Sequence, residues 1–187
     1  EVARTAISLM LAIAKAGGPT IWWAHNGGKF DALFILDAIQ SMLGFSAEGY
    51  TSGARLISLR VTSNEGVTIE LKDSYAIIQY KLSDALESFE IPHKKVFSKK
   101  LYASLERNPR AMLALSDADL EIGCLADCQA LHALLSKASE MFCDWGGKLK
   151  GTFSSSALSI VKQSVAIPSH EGNQWANKLA SEAYTGG

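Results

Sequence analysis

The chain has 187 residues, of which 48% are hydrophobic and 20% are charged. This composition predicts one folded domain with a substantial core and excludes a disordered chain. The net charge of −1 provides no overall attraction to nucleic acid, so any contact with DNA must come from a local surface. The cysteines Cys124, Cys128 and Cys143 are odd in number and lie in one stretch. This pattern is a poor disulfide framework and indicates a reducing compartment, without saying which one.

The first elements follow from apolar runs and from the residues that interrupt them. Val2–Lys15 predicts a helix that is ended by two glycines and a proline. Its apolar run is too short to span a bilayer, and a core helix explains it better than a signal peptide. Thr20–Ala24 predicts a short buried strand, and His25–Lys29 predicts a glycine-containing turn. Phe30–Leu43 predicts a second helix.

The rest of the chain predicts one hairpin and several helices. Arg55–Thr62 and Val67–Lys72 alternate apolar and polar residues around a turn, which is typical of a β-hairpin. The segment Ile91–Pro109 is predicted to be irregular. The further helices are predicted at Lys81–Phe89, Asp117–Trp145 with Ser116 as cap, Ser154–Gln163 and Gly172–Ala183. Helices around a small mixed sheet predict an α/β or α+β domain.

The segment from His25 to Asp31 is the first candidate site, because it joins a buried strand to a helix start. Backbone amides at a helix N-terminus lack helical partners and favour anions. Asn26 can both donate and accept hydrogen bonds, and Phe30 can stack on a base. Asp31 can bind a hard cation such as Mg²⁺. The alternative interpretation is an ordinary Asn-Gly turn in which Asp31 only begins the helix.

Asp127 is the second candidate, because it lies within the apolar stripe of the long predicted helix. Positions spaced by three and four lie on one face of that helix: Leu120, Cys124, Asp127, Leu131, Leu134, Ala138 and Met141. A carboxylate on a buried face is costly unless it is paired or binds a metal. Asp127 is therefore either a metal ligand or a partner of a lysine from the basic segment Lys94–Lys100.

Two further clusters have plainer explanations. Cys124, Cys128 and His132 follow one side of the helix, but a straight helix cannot place three such side chains around one tetrahedral zinc ion. We expect buried, reduced cysteines there. The basic segment Lys94–Lys100 can neutralise phosphate, or it can be a solvated loop.

Together these residues resemble the 3′–5′ exonuclease domain of family B DNA polymerases, and particularly the protein-primed branch found in viruses, phages and linear organellar plasmids. Ala24–Ile35 is similar to the second exonuclease motif, and Asp73-Ser74-Tyr75 with Leu82 and Phe89 is similar to a later motif of the family. His93–Phe97 resembles the lysine motif, with Lys94 in the matching register and Lys95 one residue away. Gly123–Asp127 resembles the third motif, although Gly123 stands where the family has tyrosine. Ala183–Gly187 resembles the Tyr-x-Gly-Gly linker to the polymerase domain.

The resemblance implies a ribonuclease H-like exonuclease fold that lacks its N-terminal strand, with a partial exonuclease domain at 1–183 and the start of a linker at 184–187. The first motif, an Asp-x-Glu with two more carboxylates, is expected upstream of residue 1. The implied reaction is two-metal hydrolysis of the 3′-terminal nucleotide with two Mg²⁺ ions, or Mn²⁺ in their place. The implied metal ligands are Asp31 and Asp127, with Lys94 as the catalytic-support lysine. The implied DNA contacts are His25, Asn26, Phe30, Leu82 and Tyr184.

The resemblance also implies the partners. They are the single-stranded 3′ end of DNA and a primer-template, with a terminal priming protein as a further partner and no membrane. The isolated chain is expected to be inactive, because it carries two of the four carboxylates. Two alternatives stay open: a catalytically dead exonuclease-like module that binds single-stranded DNA or a priming protein, and a stand-alone exonuclease of the DEDD type.

Overall fold

The computed structural model describes residues 1–29, 31–92 and 114–164, together with residues 96–97, 101, 104, 107–108 and 110. The helices are α1 (Val2–Gly17), α2 (Asp31–Gln40), α3 (Leu82–Ser88), α4 (Asp117–Asp144) and α5 (Phe153–Ser164). The strands are β1 (Thr20–Ala24), β2 (Phe45–Ser52), β3 (Arg55–Ser63) and β4 (Thr68–Asp73), and β4 continues into a 3₁₀ turn at Ser74–Ala76.

Four strands form one mixed sheet in the order β1-β4-β3-β2. β1 is parallel to β4, whereas β4, β3 and β2 are joined as antiparallel neighbours. The register places Ala24, the last residue of β1, beside Asp73, the last residue of β4. Parallel strands end at the same edge of a sheet, so the segments after both strands meet there.

Trp22 and Trp23 on β1 show that helices cover both faces of the sheet. Successive side chains on a strand point to opposite faces. Trp22 packs on a cluster formed by α1, α2 and the inner residues of β3 and β4, with Ile7 and Ile39 among its buried members. Trp23 packs on a second cluster that joins α3 to α4 through Leu86 and Leu134. The predicted α/β architecture, a mixed sheet flanked by helices, is confirmed; the ribonuclease H-like topology stays a prediction.

Most predicted elements are present with shifts of a few residues at their ends. α1, β1, α3, α4 and the β3–β4 hairpin lie where the sequence placed them, and Ser116 caps α4 by accepting a hydrogen bond from the Asp119 amide at 3.1 Å. The strand β2 was not predicted. Only Phe45 of its eight residues is partly buried, and the other seven are exposed. The strand therefore lacks the apolar alternation by which a strand is predicted from sequence. The predicted helix Gly172–Ala183, the linker 184–187 and most of Ile91–Pro109 lie outside the described residues.

The prediction that Asp127 lies on a buried face is wrong. Leu134 and Ala138 of the predicted stripe are buried, but Cys124 and Asp127 are exposed. The C-terminal half of α4 packs on α3, while its N-terminal half lines an open groove. The expectation that Cys124 and Cys128 are buried is also wrong, since both are exposed free thiols, as is Cys143. Among the described helices, none is long and apolar enough to cross a membrane.

Candidate functional site

The candidate site begins at the edge of the sheet where β1 and β4 end together. The turn that follows β1 contains His25, Asn26, Gly27 and Gly28, and it lies against Asp73 at the end of β4. This placement follows from the register of the two parallel strands, because Ala24 pairs with Asp73.

Asp73 organises this turn and is the residue that the sequence interpretation missed. Asp73 is only 3% exposed. Its Oδ1 accepts hydrogen bonds from the amides of Asn26 at 2.8 Å and Tyr75 at 3.0 Å. Its Oδ2 accepts from the Gly28 amide at 3.2 Å and from Nη1 of Arg55 at 2.8 Å. A buried carboxylate with several donors and a cation is well compensated.

The Asp73 carboxylate therefore takes the place of the external anion that the turn was expected to attract. The amides of Asn26 and Gly28 are used inside the protein, and the Ala32 amide donates to the Gly27 carbonyl at 2.9 Å. The expectation of unpaired amides is wrong for these three positions. These three amides are therefore not available to an external anion.

Asn26 is held in a strained backbone conformation, with φ of 65°. Asparagine adopts this left-handed region more readily than most residues. Its Oδ1 accepts a hydrogen bond from Nη2 of Arg55 at 2.9 Å. Within the described part of the chain, the NH₂ group of Asn26 forms no hydrogen bond, so this group keeps its capacity to donate.

Gly28 is required by the close packing of the turn on β3. Its carbonyl accepts a hydrogen bond from the Leu56 amide at 3.1 Å. A Cβ atom on Gly28 would lie 1.8 Å from the Leu56 carbonyl oxygen and 2.8 Å from Oδ2 of Asp73. Only glycine fits such an approach, so the Gly-Gly pair has a structural reason apart from any ligand.

His25 has both ring nitrogens engaged. Nδ1 lies 2.9 Å from Oγ of Ser74, and Nε2 lies 2.8 Å from the Tyr80 carbonyl oxygen. A carbonyl only accepts, so Nε2 must donate a hydrogen. Ser74 is fully buried and also lies 3.2 Å from the Ala24 carbonyl. The ring orientation is thereby held by main-chain and buried groups, and a ligand would meet the ring surface.

His25, Leu82 and Asp127 come together around one groove of about 540 Å³. They lie far apart in the chain, on the turn after β1, at the start of α3 and on α4. Asp127 is exposed along this groove. The structure therefore gathers three of the predicted site residues.

Asp31 lies apart from that groove. It is the first residue of α2 and is exposed. It lines a small cavity of about 40 Å³ together with Gly27, Gly28 and Asp73, and the described lining of the groove beside Asp127 does not include it. Across the described ranges, no group of three or more His, Cys, Asp or Glu side chains is placed to hold a metal ion. The described residues alone therefore do not complete the implied Mg²⁺ site, of which the resemblance places two ligands, Asp31 and Asp127, in this chain.

Gly123 is buried on α4, and its lack of a side chain has a clear structural reason. A Cβ atom there would lie 2.7 Å from Cε2 of the Phe97 ring. The Phe97 ring thus occupies the space that a tyrosine at position 123 would need. Neither residue carries the hydroxyl that the resemblance implies at this position.

Cys128 lines the same groove as Asp127. Partial burial of its sulfur raises the pKa of the Cys128 thiol, and the neighbouring Cys124 and Asp127 raise it further. A raised pKa keeps the thiol protonated and therefore unreactive at neutral pH.

Three predicted site residues lie outside the described residues: Phe30, Lys94 and Tyr184. Lys95, the neighbour of Lys94, does too. Arg55 was missed because nothing in the sequence around it marks it as more than the first residue of a strand. Asp73 and Ser74 belong to a quoted motif, but no role was predicted for either.

Comparison with known proteins shows a distant relationship. The chain is 27% identical over 145 residues to the DNA-directed DNA polymerase of Enterobacteria phage PRD1. The match covers 78% of this chain but 21% of the phage protein, so the chain spans about a fifth of that relative. No protein-family model matches the chain, and no solved structure matches it. The chain is therefore a distant relative of one part of a phage DNA polymerase.

Proposed function

We propose that this chain is part of a DNA-directed DNA polymerase of the family B, protein-primed type and forms its proofreading 3′–5′ exonuclease domain. The observation that carries the proposal is the similarity to the phage PRD1 polymerase over 78% of the chain. The ordered motifs from Asn26 to Asp127 support the assignment to the exonuclease part. The substrate would be the single-stranded 3′ end of a primer, from which the terminal nucleotide is removed.

The groove beside Asp127 suits this substrate. His25 and Leu82 present a ring and an apolar side chain to the same space as the carboxylate, and single-stranded DNA is held through contacts with its bases. Frayed, mismatched ends enter such a site more readily, because they have less stacking to lose. Asp31 and Asp127 remain the proposed metal ligands, and Phe30, Lys94 and Tyr184 the further contacts. Primer-template DNA and a priming protein remain proposed partners.

The test uses a polymerase that contains this chain. Asp31→Ala should abolish most excision of a mismatched 3′ nucleotide while nucleotide incorporation on a matched primer stays near wild type. Asp37→Ala is the matched control, because Asp37 is another exposed aspartate on α2. Equal loss of excision and incorporation in Asp31→Ala would count against the assignment, and so would equal effects of the two substitutions.

The isolated 187-residue chain is proposed to be inactive, since its described residues do not complete a metal site. Incubation of the purified chain with labelled single-stranded DNA and Mg²⁺ should leave the DNA intact. Progressive shortening of the DNA from its 3′ end would contradict this proposal, provided that the nuclease activity elutes together with the 187-residue chain on a size-exclusion column.

A second candidate is a module that binds single-stranded DNA without hydrolysing it. The observation that favours it is the Phe97 ring beside Gly123, which leaves no hydroxyl at a position where the resemblance implies one. A polymerase that contains the chain, binds a frayed 3′ end and fails to excise it in Mg²⁺ would support this candidate over the first.

A further inference from the structure

A second, larger cleft has a lining that shares no described residue with the groove at Asp127. It has a volume of about 870 Å³ and runs between strands β2 and β3, the segment after the 3₁₀ turn, and the ends of α4 and α5 that face each other. None of the described residues assigned to the candidate site in the sequence lines it. Its surroundings therefore need an explanation of their own.

The cleft is rich in aromatic side chains that face solvent. Seven of its nineteen described lining residues are aromatic, against 9% of the whole chain. Four of them are large and strongly exposed: Tyr50 and Tyr80 at 63%, Phe153 at 56% and Trp145 at 55%. Exposed aromatic rings gathered in one concave surface indicate a binding site more often than scattered exposed residues do.

The described lining contains no carboxylate that would repel an anionic ligand, although the chain carries 19 acidic residues in all. The one cation of that lining, Arg55, is ion-paired with Asp73, so the positive charge near the cleft comes from lysines beside it. The other polar groups are hydroxyls and an amide, supplied by residues such as Ser52, Thr152 and Gln79. Lys148 and Lys150 are exposed on the segment that leads into Thr152. Aromatic rings with neighbouring cations are the usual means of holding single-stranded nucleic acid.

The cleft is directly connected to the turn after β1. Arg55 lines the cleft, and its guanidinium binds Asn26 and Asp73 while it stacks on the Tyr75 ring, 4.2 Å from the ring centroid. Tyr80 lines the cleft, and its carbonyl accepts a hydrogen bond from Nε2 of His25. A strand of DNA in the cleft would therefore pass beside the residues that hold the candidate site.

We infer that this aromatic cleft, lined by Tyr50, Tyr80, Trp145 and Phe153, binds single-stranded DNA by stacking its bases on the exposed rings. The inference rests on the proposed function for the identity of the nucleic acid. It adds a binding surface distinct from the groove beside Asp127. The cleft would hold unpaired nucleotides away from the cleaved end, so that binding here and hydrolysis there are separable.

The test measures binding of fluorescein-labelled oligothymidylate to the 187-residue chain by fluorescence anisotropy. Tyr50→Ala and Phe153→Ala should each weaken binding roughly tenfold, in line with the loss of one stacked base. Trp145→Phe should retain binding, whereas Trp145→Ala should lose it. Leu43→Ala is the control, because Leu43 is 99% exposed and lies outside the cleft. An abasic oligonucleotide of the same length should bind much more weakly than oligothymidylate.

Several results would overturn the inference. They are equal binding of the abasic and thymidine strands, cleft variants that bind like Leu43→Ala, no measurable binding of single-stranded DNA, and a dimer that Tyr50→Ala dissociates. Thermal unfolding followed by circular dichroism checks that each variant is folded, and the pair Trp145→Phe and Trp145→Ala separates stacking from folding. Selective loss of binding in the cleft variants, together with no excision by the polymerase, would support the cleft and reject the exonuclease assignment.

Discussion

Arg55 and Asp73 are 18 residues apart in the chain and meet through an ion pair in which Nη1 lies 2.8 Å from Oδ2. The Asp73 side chain is 2% exposed and the Arg55 side chain is 24% exposed. The same guanidinium binds Asn26, so one arginine joins β3, the end of β4 and the turn after β1. The pair thus determines the shape of the segment on which the proposed function depends.

Removal of the Asp73 carboxylate should destabilise the protein strongly. Asp73→Ala leaves the amides of Asn26, Gly28 and Tyr75 and the Arg55 guanidinium without their acceptor. We expect a loss of about 3–5 kcal/mol in the free energy of unfolding, the range for breaking a buried charge pair. Arg55→Ala should cost less, about 1.5–3 kcal/mol, because three amides still compensate the carboxylate.

Urea unfolding at a constant m value measures both losses. Lys15→Ala serves as the control, because Lys15 forms an ion pair with Glu65 in which both side chains are 66% exposed, and exposed pairs contribute little. Equal effects of Asp73→Ala and Lys15→Ala would show that Asp73 does not organise the turn.

Gly28→Ala should be among the most damaging small substitutions in the chain. The added Cβ would meet the Leu56 carbonyl oxygen at 1.8 Å, and a backbone atom cannot move aside cheaply. We expect a cost of about 3 kcal/mol or more, at the upper end of the range for overpacking. Gly17→Ala is the matched control, since nothing lies within 4 Å of its added Cβ at the end of α1. Gly17→Ala should be neutral or stabilising by up to about 1 kcal/mol. Similar melting temperatures for the two variants would show that the close contact between Gly28 and Leu56 does not exclude a side chain.

Glu65 offers a prediction about pH. A hydrogen bond from Lys15, together with its charge, holds the pKa of the Glu65 carboxyl below its usual value of 4.5. A lowered pKa in the folded state means that the pair stabilises the protein above the usual glutamate pKa and loses that effect as pH falls through the lowered value. NMR titration of the Glu65 carboxyl should show this lowered midpoint, and Lys15→Gln should raise it. Salt at roughly 1 M should weaken the difference, because the Debye length is then only about 3 Å. A midpoint unchanged by Lys15→Gln would exclude the pair as the cause.

Local signals explain which elements could be predicted from the sequence. β1 is a short apolar run between a Gly-Gly-Pro segment and an Asn-Gly turn, and α4 begins at Ser116, whose hydroxyl caps the helix. These features involve only a few consecutive residues, so they can be recognised directly in the sequence. β2 was missed because it lies at the edge of the sheet with most of its side chains in solvent. An edge strand such as β2 is stabilised mainly by pairing with its neighbour, here β3. A pattern within β2 itself cannot reveal that pairing.

The candidate site also combines features that local sequence predicts with features that depend on the tertiary structure. The turn from His25 to Gly28 was found from its composition, but the Arg55–Asp73 pair was not, because strand register brings those two residues together. The helical period of α4 placed Asp127 on the correct side of the helix axis, the side that carries the buried residues Ala130 and Leu134. It could not tell which parts of this face are covered: α3 packs on it from about Ala130 onward and Phe97 lies against Gly123, while Asp127 between them is exposed. A helical period gives a direction around the axis and carries no information on how far along the axis a neighbour extends.

The exposure of Asp127 leads to a prediction that separates stability from activity. Asp127→Asn should change the free energy of unfolding by about 1 kcal/mol or less, the range for exposed charges, whereas Asp73→Asn should cost more because its buried charge meets Arg55. In a polymerase that contains this chain, Asp127→Asn should nevertheless remove most 3′ excision while incorporation continues. Urea unfolding of the chain and excision of a mismatched primer by the polymerase measure the two effects. A large stability loss in Asp127→Asn would show that Asp127 has a structural role and would count against its proposed role as a metal ligand.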